Sequence, residues 1–390
     1  MSQNKPKRVL HISNWHPNRE NPFEAIWMHR HVQTLVEHCE NEVWHIQVRP
    51  QKKWKYHKYT DDYNCKHRVL DIPFRQWAIV EILTTFLLCW HLTFSIKKKK
   101  FDVLNVHIAY PLLTYWKTIR FFVRIPVVIS EHWSAYHFNF GLPKDTNKLN
   151  RIKKIFRHQI PLITVSKALA TDIEAFANVA IKKQYVLPNV IDTDLFYYKN
   201  GPIPKTPVFF MLSGWAPPKQ PIVVIHAFVK LLEQHPDALL KIAGFGLQLN
   251  DMKKEVERYG ISNNVVFLGK LEASAIADLQ QDCSAFIHCS DYETFSVVCA
   301  EAICCGTPVI ASAVGGIVEF ISPENGMLVA ENRVELWTDT LTRFLEKEQA
   351  YDRNLIAQNA AKLLSISVVG EKYINILEEV QEITSNKALK

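Results

Sequence analysis

Residues Ser290–Gly316 read SDYETFSVVCAEAICCGTPVIASAVGG, and their reading decides the architecture. The run Ala285–Cys289 just before them is apolar and of strand length. Ser290–Phe295 is short and polar, Ser296–Cys305 suits a helix, Gly306 punctuates, and Pro308–Ala311 reads as another buried strand. A buried strand, a loop, a helix and a second buried strand make a βαβ unit, whose strands run parallel. In doubly wound sheets, ligands bind beyond the carboxyl ends of the strands. Glu293 stands in that loop, and Glu301 about two turns into the helix. The helix start offers backbone N–H groups and a positive dipole end, which suit a phosphate. A carboxylate can hold vicinal hydroxyls of a sugar through paired hydrogen bonds. One short block is thus expected to grip two sugars and the diphosphate between them, rather than to be a pair of solvated acids.

The same alternation extends in both directions. Strands are expected at Val9–Ser13, Val43–Val48, Val103–His107, Pro126–Ser130, Leu162–Val165 and Gln184–Leu187. A second set is expected at Val208–Ser213, Leu239–Ala243, Val265–Leu268, Ala285–Cys289, Pro308–Ala311 and Gly326–Val329. Helical stretches such as Pro221–Gln234, Asp251–Tyr259 and Ala273–Asp282 separate them. Six strands per half imply two doubly wound, Rossmann-like α/β domains facing a cleft, rather than a barrel of eight equal repeats. Tyr198–Thr206, YKNGPIPKT, has the Gly and Pro content of a linker. The expected division is residues 1–197, the linker 198–206, residues 207–370, and a terminal helix over 371–390.

The chain has 390 residues, 48% hydrophobic and 22% charged, which excludes disordered and collagen-like classes. The formal charge of +7 is unevenly spread. Residues 1–200 hold 30 Lys and Arg against 16 Asp and Glu, whereas residues 201–390 hold 16 against 23. The two halves therefore suit different partners. Basic residues such as Lys52, Lys53, Lys55, Lys58 and Lys97–Lys100 suit anionic lipid or a lipid-diphosphate acceptor. No nucleic-acid-binding module appears, so no nucleic-acid partner is expected. The eight cysteines sit mostly in apolar runs and show no zinc spacing, which reads as reduced core thiols in a cytoplasmic protein. The apolar run after Met1–Arg8 is too short for a signal peptide. Trp77–Ile96 is long enough to span a bilayer, but Glu81, Thr84, His91 and Ser95 mark one polar helical face. A helix packed on a sheet or lying at a membrane interface is expected there, before a span.

The Ser290–Gly316 block resembles the E-x7-E signature of retaining glycosyltransferases of family 4, which have the GT-B fold. The likeness runs along nearly the whole chain. Asn14–Trp27, Asp102–His107, Ser130–Trp133, Thr164–Ser166 and Leu187–Asp192 follow in the family's order, and then Ser213–Lys219, Gly244–Gly246 and Phe267–Gly269. The resemblance implies that Glu293 contacts the transferred sugar and Glu301 the nucleotide ribose. Thr294, Phe295 and Ser296 match the turn whose amides meet the donor. Lys219 matches the cation that neutralises the departing diphosphate, and His132 the histidine facing the donor sugar. Gly214 matches the glycine closing the first strand of the second domain, Gly244 and Gly246 a pair that lets backbone approach the nucleotide, and Gly269 a position near the base. His107, Glu131 and Ala25 fall on the acceptor side.

Two departures stand out. Trp215 follows Gly214 where the family has an arginine nearby, and Glu24-Ala25 stands where the first loop has glycine. The resemblance further implies that the terminal helix crosses back to the first domain. It implies a nucleotide-sugar donor and a saccharide or lipid-linked acceptor in surface polysaccharide or glycolipid synthesis, with peripheral contact at the inner face of the cell membrane. No cofactor and no metal are expected, because a cation and helix termini can stabilise the leaving diphosphate. Asp192-Thr193-Asp194 spells D-x-D, but no other ligand cluster accompanies it in sequence. The alternatives are a GT-B sugar-nucleotide epimerase and a non-catalytic sugar-nucleotide-binding protein.

Overall fold

The computed structural model describes residues 6–14, 26–48, 53–73, 79, 81–87, 89–90, 93, 101–123, 125–138, 146–201 and 204–388. Two compact units result. Residues 1–190 with 366–390 form the first, and residues 191–365 the second.

The first unit is built on an eight-stranded sheet: β1 (Arg8–Ser13), β2 (Glu40–Val48), β3 (Lys55–Thr60), β4 (Lys66–Ile72), β5 (Val103–His107), β6 (Val127–Glu131), β7 (Leu162–Thr164) and β8 (Gln184–Val186). Their order is β3-β4-β2-β1-β5-β6-β7-β8. Only β3 pairs antiparallel. The parallel strands are apolar because both faces are covered; β5 and β6 are buried throughout. The last helix, Ile366–Ala388, belongs to this unit. Val369, Tyr373, Ile376, Leu377 and Val380 recur at helical spacing and pack on Val9, Val103, Val128 and Ile163.

The sequence suggests six strands here, and the structure adds β3 and β4. All of β3 but His57 is exposed, so KYHKYT carries no apolar alternation to read. Backbone pairing to β4 holds it, and its lysines guard the sheet edge. The segment after β4 carries the polar stripe that includes Glu81 and Thr84. Glu81, Thr84, Thr85 and Cys89 are buried while Ile82, Phe86 and Trp90 are exposed, so the polar stripe faces inward. Glu81 accepts a hydrogen bond from the Tyr110 hydroxyl at 3.2 Å, which supplies part of the reason. Among the described residues, no helix is long and apolar enough to cross a membrane. Ala25, most of the loop before it, and Lys97–Lys100 lie outside the described residues.

The second unit carries β9 (Val208–Gly214), β10 (Leu239–Phe245), β11 (Val265–Gly269), β12 (Ala285–His288), β13 (Val309–Ser312) and β14 (Gly326–Val329). The order β11-β10-β9-β12-β13-β14 is all parallel, the doubly wound Rossmann arrangement. Phe209, Met211, Leu240, Ile242 and Ile287 meet Val224, Phe228, Trp337 and Phe344 of the flanking helices in one core.

Candidate functional site

Strand order reverses between β9 and β12, so the crevice beyond their carboxyl ends is where a ligand is expected. The loop after β9 is laced to the loop after β12. The Gln220 amide donates to the Cys289 carbonyl at 3.0 Å, and the Asp291 amide to the Pro218 carbonyl at 2.9 Å. Lys219 and Ser290 form an antiparallel bridge between them. This lacing brings the Lys219 ammonium onto Glu293 Oε1. His288 Nε2, from the last residue of β12, lies 2.6 Å from the same oxygen. Asn332 braces the loop from below, donating to the Ser290 carbonyl at 3.0 Å and to Asp291 Oδ1 at 2.9 Å.

The backbone of Glu293 is fixed too. Gly315 has φ +50°, and a Cβ there would lie 1.9 Å from the Glu293 carbonyl oxygen. The Gly316 amide donates to that carbonyl at 2.9 Å. Ser296 takes the left-handed conformation, φ +76°, at the head of the helix Val297–Cys304, an uncommon geometry for a residue with a Cβ. Phe295 is buried and stacks on Phe320, which anchors the turn, and Thr294 is half-buried.

Burial drives the Glu293 carboxyl up, but the Lys219 charge and His288 outweigh it and hold the group at about 2. Burial, and then Lys219, keep His288 below its ordinary value. Burial likewise pushes the Cys299 thiol up. Glu301 lies within the helix Val297–Cys304 that follows the Glu293 loop. Glu301 itself is buried. The second unit therefore brings Glu293 and Lys219 together and adds His288. Sequence reasoning missed His288, although it ends an apolar strand just as His107 does.

The glycines divide. Gly244 and Gly246 have φ +111° and +146°, and a Cβ on them would collide with the carbonyl oxygens of Ser213 and Trp215 at 1.9 and 2.3 Å. They admit the protein's own backbone. Gly214 and Gly269 face open space, and only Gly269, at φ +69°, needs to be glycine on backbone grounds. Trp215 points into the core and donates from Nε1 to the Ala243 carbonyl at 3.0 Å.

In the first unit, His132 lies against Trp27, with ring centroids 4.1 Å apart, and His31 is 5.2 Å away. Burial, and then His31, keep it well below its ordinary value, as a neutral imidazole. His107 and Glu131 differ from the expectation that they face an acceptor. Both are fully buried among protein partners. His107 Nε2 is 3.1 Å from His11 Nδ1. Glu131 Oε1 accepts from the Ala109 amide at 2.7 Å and the Tyr136 hydroxyl at 2.9 Å. His107 ties β5 to β1 and Glu131 holds the segments after β5 and β6, and neither lines a surface.

Residues 196–363 match the family described as glycosyl transferases group 1, and residues 28–195 that described as Glycosyltransferase Family 4. The chain belongs to glycosyltransferase family 4. This family 4 chain is 27% identical over 242 residues to the D-inositol 3-phosphate glycosyltransferase of Actinosynnema mirum, a match covering 56% of this chain and 58% of that protein. It is 29% identical over 183 residues to the GDP-mannose-dependent monoacylated alpha-(1-6)-phosphatidylinositol monomannoside mannosyltransferase of Corynebacterium glutamicum, covering 44% of this chain and 47% of that one. It thus spans about half the length of the curated relatives it matches. Among solved structures, sucrose-phosphate synthase from Thermosynechococcus elongatus superposes with TM-score 0.74 at 17% identity, over 96% of this chain and 100% of that one. Anabaena HepE in complex with UDP and glucose gives 0.71 at 16% identity, over 95% and 99%. The family 4 chain has the GT-B fold, with two Rossmann-like domains.

Proposed function

We propose that the chain transfers a hexosyl group, with retention at the anomeric carbon, from a nucleoside-diphosphate sugar to a saccharide or lipid-linked acceptor. The observation that carries this reading is the Lys219–Glu293–His288 cluster at the sheet's switch point. Without a ligand, Lys219 neutralises Glu293. An arriving diphosphate competes for the ammonium, which then stabilises the charge that develops as the sugar–phosphate bond breaks. Glu293 and His288 are left to accept and donate hydrogen bonds at the sugar hydroxyls, and Glu301 holds the ribose. The left-handed turn at Ser296 aims the first amides of the following helix toward the phosphates. No added metal is needed for this chemistry, because lysine and amides supply the positive charge. The acceptor oxygen attacks from the face that the diphosphate leaves, and the leaving phosphate takes its proton.

Relatives bear on the donor and acceptor. HepE binds UDP and glucose, and the corynebacterial relative is named for GDP-mannose and a phosphatidylinositol monomannoside. A lipid-linked acceptor also suits the first unit's surface. Ile82, Phe86 and Trp90 are exposed beside an apolar groove of about 520 Å³ that Tyr115 and Phe122 complete. Phe121, Lys117 and Arg120 are exposed on the helix Trp116–Phe122. Apolar rings flanked by cations suit peripheral contact with an anionic membrane in glycolipid or surface-polysaccharide assembly.

The test is a panel of nucleotide sugars with lipid-linked and free saccharide acceptors. Nucleoside diphosphate release, product anomeric configuration by NMR, and the effect of added Mg²⁺ or Mn²⁺ are read. Release coupled to an α-product from an α-donor, at a rate that added metal leaves unchanged, is expected. A rearranged donor without release identifies an epimerase. Donor binding without turnover identifies a binding protein. Either result overturns the reading.

A further inference from the structure

His29, Asp61 and His67 come from three separate places in the first unit. His29 is on the helix Ile26–Gln33, Asp61 in the turn between β3 and β4, and His67 on β4. One nitrogen from each ring and one carboxylate oxygen lie within 4.8 Å of one another. His67 Nε2 and Asp61 Oδ2 are 2.9 Å apart. A tetrahedral ion with bonds of about 2 Å needs ligand atoms about 3.3 Å apart, so small side-chain rotations suffice to close the shell.

The surroundings are arranged as those of metal ligands are. Asp61 Oδ1 accepts the Tyr63 amide at 3.1 Å and the Cys65 amide at 2.8 Å, which turns Oδ2 toward His67. His67 Nδ1 faces His45 Nε2 at 3.1 Å. A proton on Nδ1 given to His45 leaves the Nε2 lone pair directed at the cluster. A second hydrogen bond of this kind sets the tautomer of a ligating histidine. Tyr59 stacks flat on the His67 ring, with centroids 4.6 Å apart, and fixes its plane. The Gln33 side-chain amide is 2.8 Å from His29 Nε2, one helical turn on, and turned end for end its oxygen accepts the Nε2 proton and leaves Nδ1 to the ion. Asp61 and His29 are only half-buried, which leaves room for water as a further ligand.

We infer that His29, Asp61 and His67 form a binding site for a divalent transition-metal ion of the zinc type, which clamps the helix Ile26–Gln33 to the β3–β4 hairpin. Two imidazoles and a carboxylate suit Zn²⁺ better than Mg²⁺ or Ca²⁺, which take oxygen ligands. The clamped helix also carries Trp27 and His31, which pack on His132. The ion is structural in this assignment. Its residues stand in the first unit, whereas Lys219 and Glu293 stand in the second.

The test uses the full untagged chain, stripped by chelator and titrated with Zn²⁺ alone in calorimetry, with Co²⁺ as the spectroscopic probe. One tight equivalent, visible Co²⁺ d–d bands and a raised unfolding temperature are expected. Asp61→Asn keeps the Oδ1 acceptor, and His29→Gln sits on a half-exposed helix face, so both variants should fold. Each should weaken the tight equivalent by at least ~10-fold and abolish the d–d bands, while His45→Gln weakens it ~10-fold through His67. Circular dichroism of the stripped variants verifies folding. No tight equivalent in the parent chain, or one that survives both ligand substitutions, overturns the assignment.

Discussion

Lys219→Met isolates the electrostatics on which the proposed chemistry depends. The side chains of Lys219 and Glu293 are 17% and 14% exposed, so solvent screens their pairing little. Burial alone would raise the Glu293 carboxyl, yet Lys219 and His288 carry it from 4.5 down to about 2. That difference corresponds to ~3 kcal/mol between the two protonation states. The folded-state value lies below the unfolded one. The stabilisation is therefore complete above pH 4.5 and disappears as pH falls toward 2. Removing the ammonium leaves a buried carboxylate with only a neutral imidazole for company, and should cost the second unit ~3 kcal/mol at pH 7. Glu293→Gln removes the other partner. The double variant should cost much less than the sum of the two, with a coupling of ~2–3 kcal/mol. Because the chain has two units, the measurement is hydrogen exchange of peptides from β9 and β12, which reports opening of the second unit separately. Turnover of either single variant should fall by ~10²-fold or more, since each loses a group that stabilises charge in the transition state. Additive losses at pH 7, or near-parental turnover in both single variants, would refute the reasoning.

Three further outcomes follow from other parts of the molecule. Gly315→Ala sets a Cβ against the Glu293 carbonyl at a left-handed φ, so it should destabilise the second unit by ~1–3 kcal/mol and raise the donor KM in steady-state assays. Burial raises the Glu131 carboxyl to about 7, so its contribution to the first unit is full below pH 4.5 and is lost as pH rises through 7. Exchange of β6 amides should show ~3 kcal/mol of that slope, and Glu131→Gln should flatten it. Phe86→Ser with Trp90→Ser should release the chain from anionic vesicles in co-sedimentation while leaving the unfolding temperature within a few degrees, since both rings are exposed.

What the sequence discloses is the part governed by short-range pattern. Parallel strands buried on both faces are continuous apolar runs, so β1, β5, β9 and β12 can be read almost to the residue. Glycine, proline and strand context single out Glu293 and Glu301 in the sequence, whereas Lys219 is singled out only by the family resemblance. β3 is illegible for the opposite reason: neither of its faces is buried, and its existence depends on a partner strand rather than on its own composition. The inward stripe of Glu81, Thr84 and Thr85 reverses the usual assignment of a polar face to solvent. Periodicity reports which side is polar but not which side is covered. His288 joins Glu293 across five residues, and only the closed loop shows that their polar atoms meet.

The absent arginine after Gly214 is best understood from the same loop. The indole at position 215 is buried in the core of the second unit and spends its one donor on the Ala243 carbonyl. Turning that side chain inward swings the backbone of residues 213–215 onto the end of β10, where the Trp215 amide donates to the Phe245 carbonyl at 2.7 Å. The carbonyls of Ser213 and Trp215 then occupy the volume that a Cβ would need at 244 and 246. Trp215, Gly244 and Gly246 are thus one packing solution rather than three independent positions. The glycine pair, which in sequence suggests room for a nucleotide, is required by the protein's own chain before any ligand arrives. In the proposed reaction the positive charge therefore comes from Lys219 rather than from residue 215. The lacing of residues 218–220 to 289–291 is what sets Lys219 in place for that role. It holds the ammonium on the Glu293 carboxylate, so on the proposed reading a phosphate meets a cation already partly desolvated and in place.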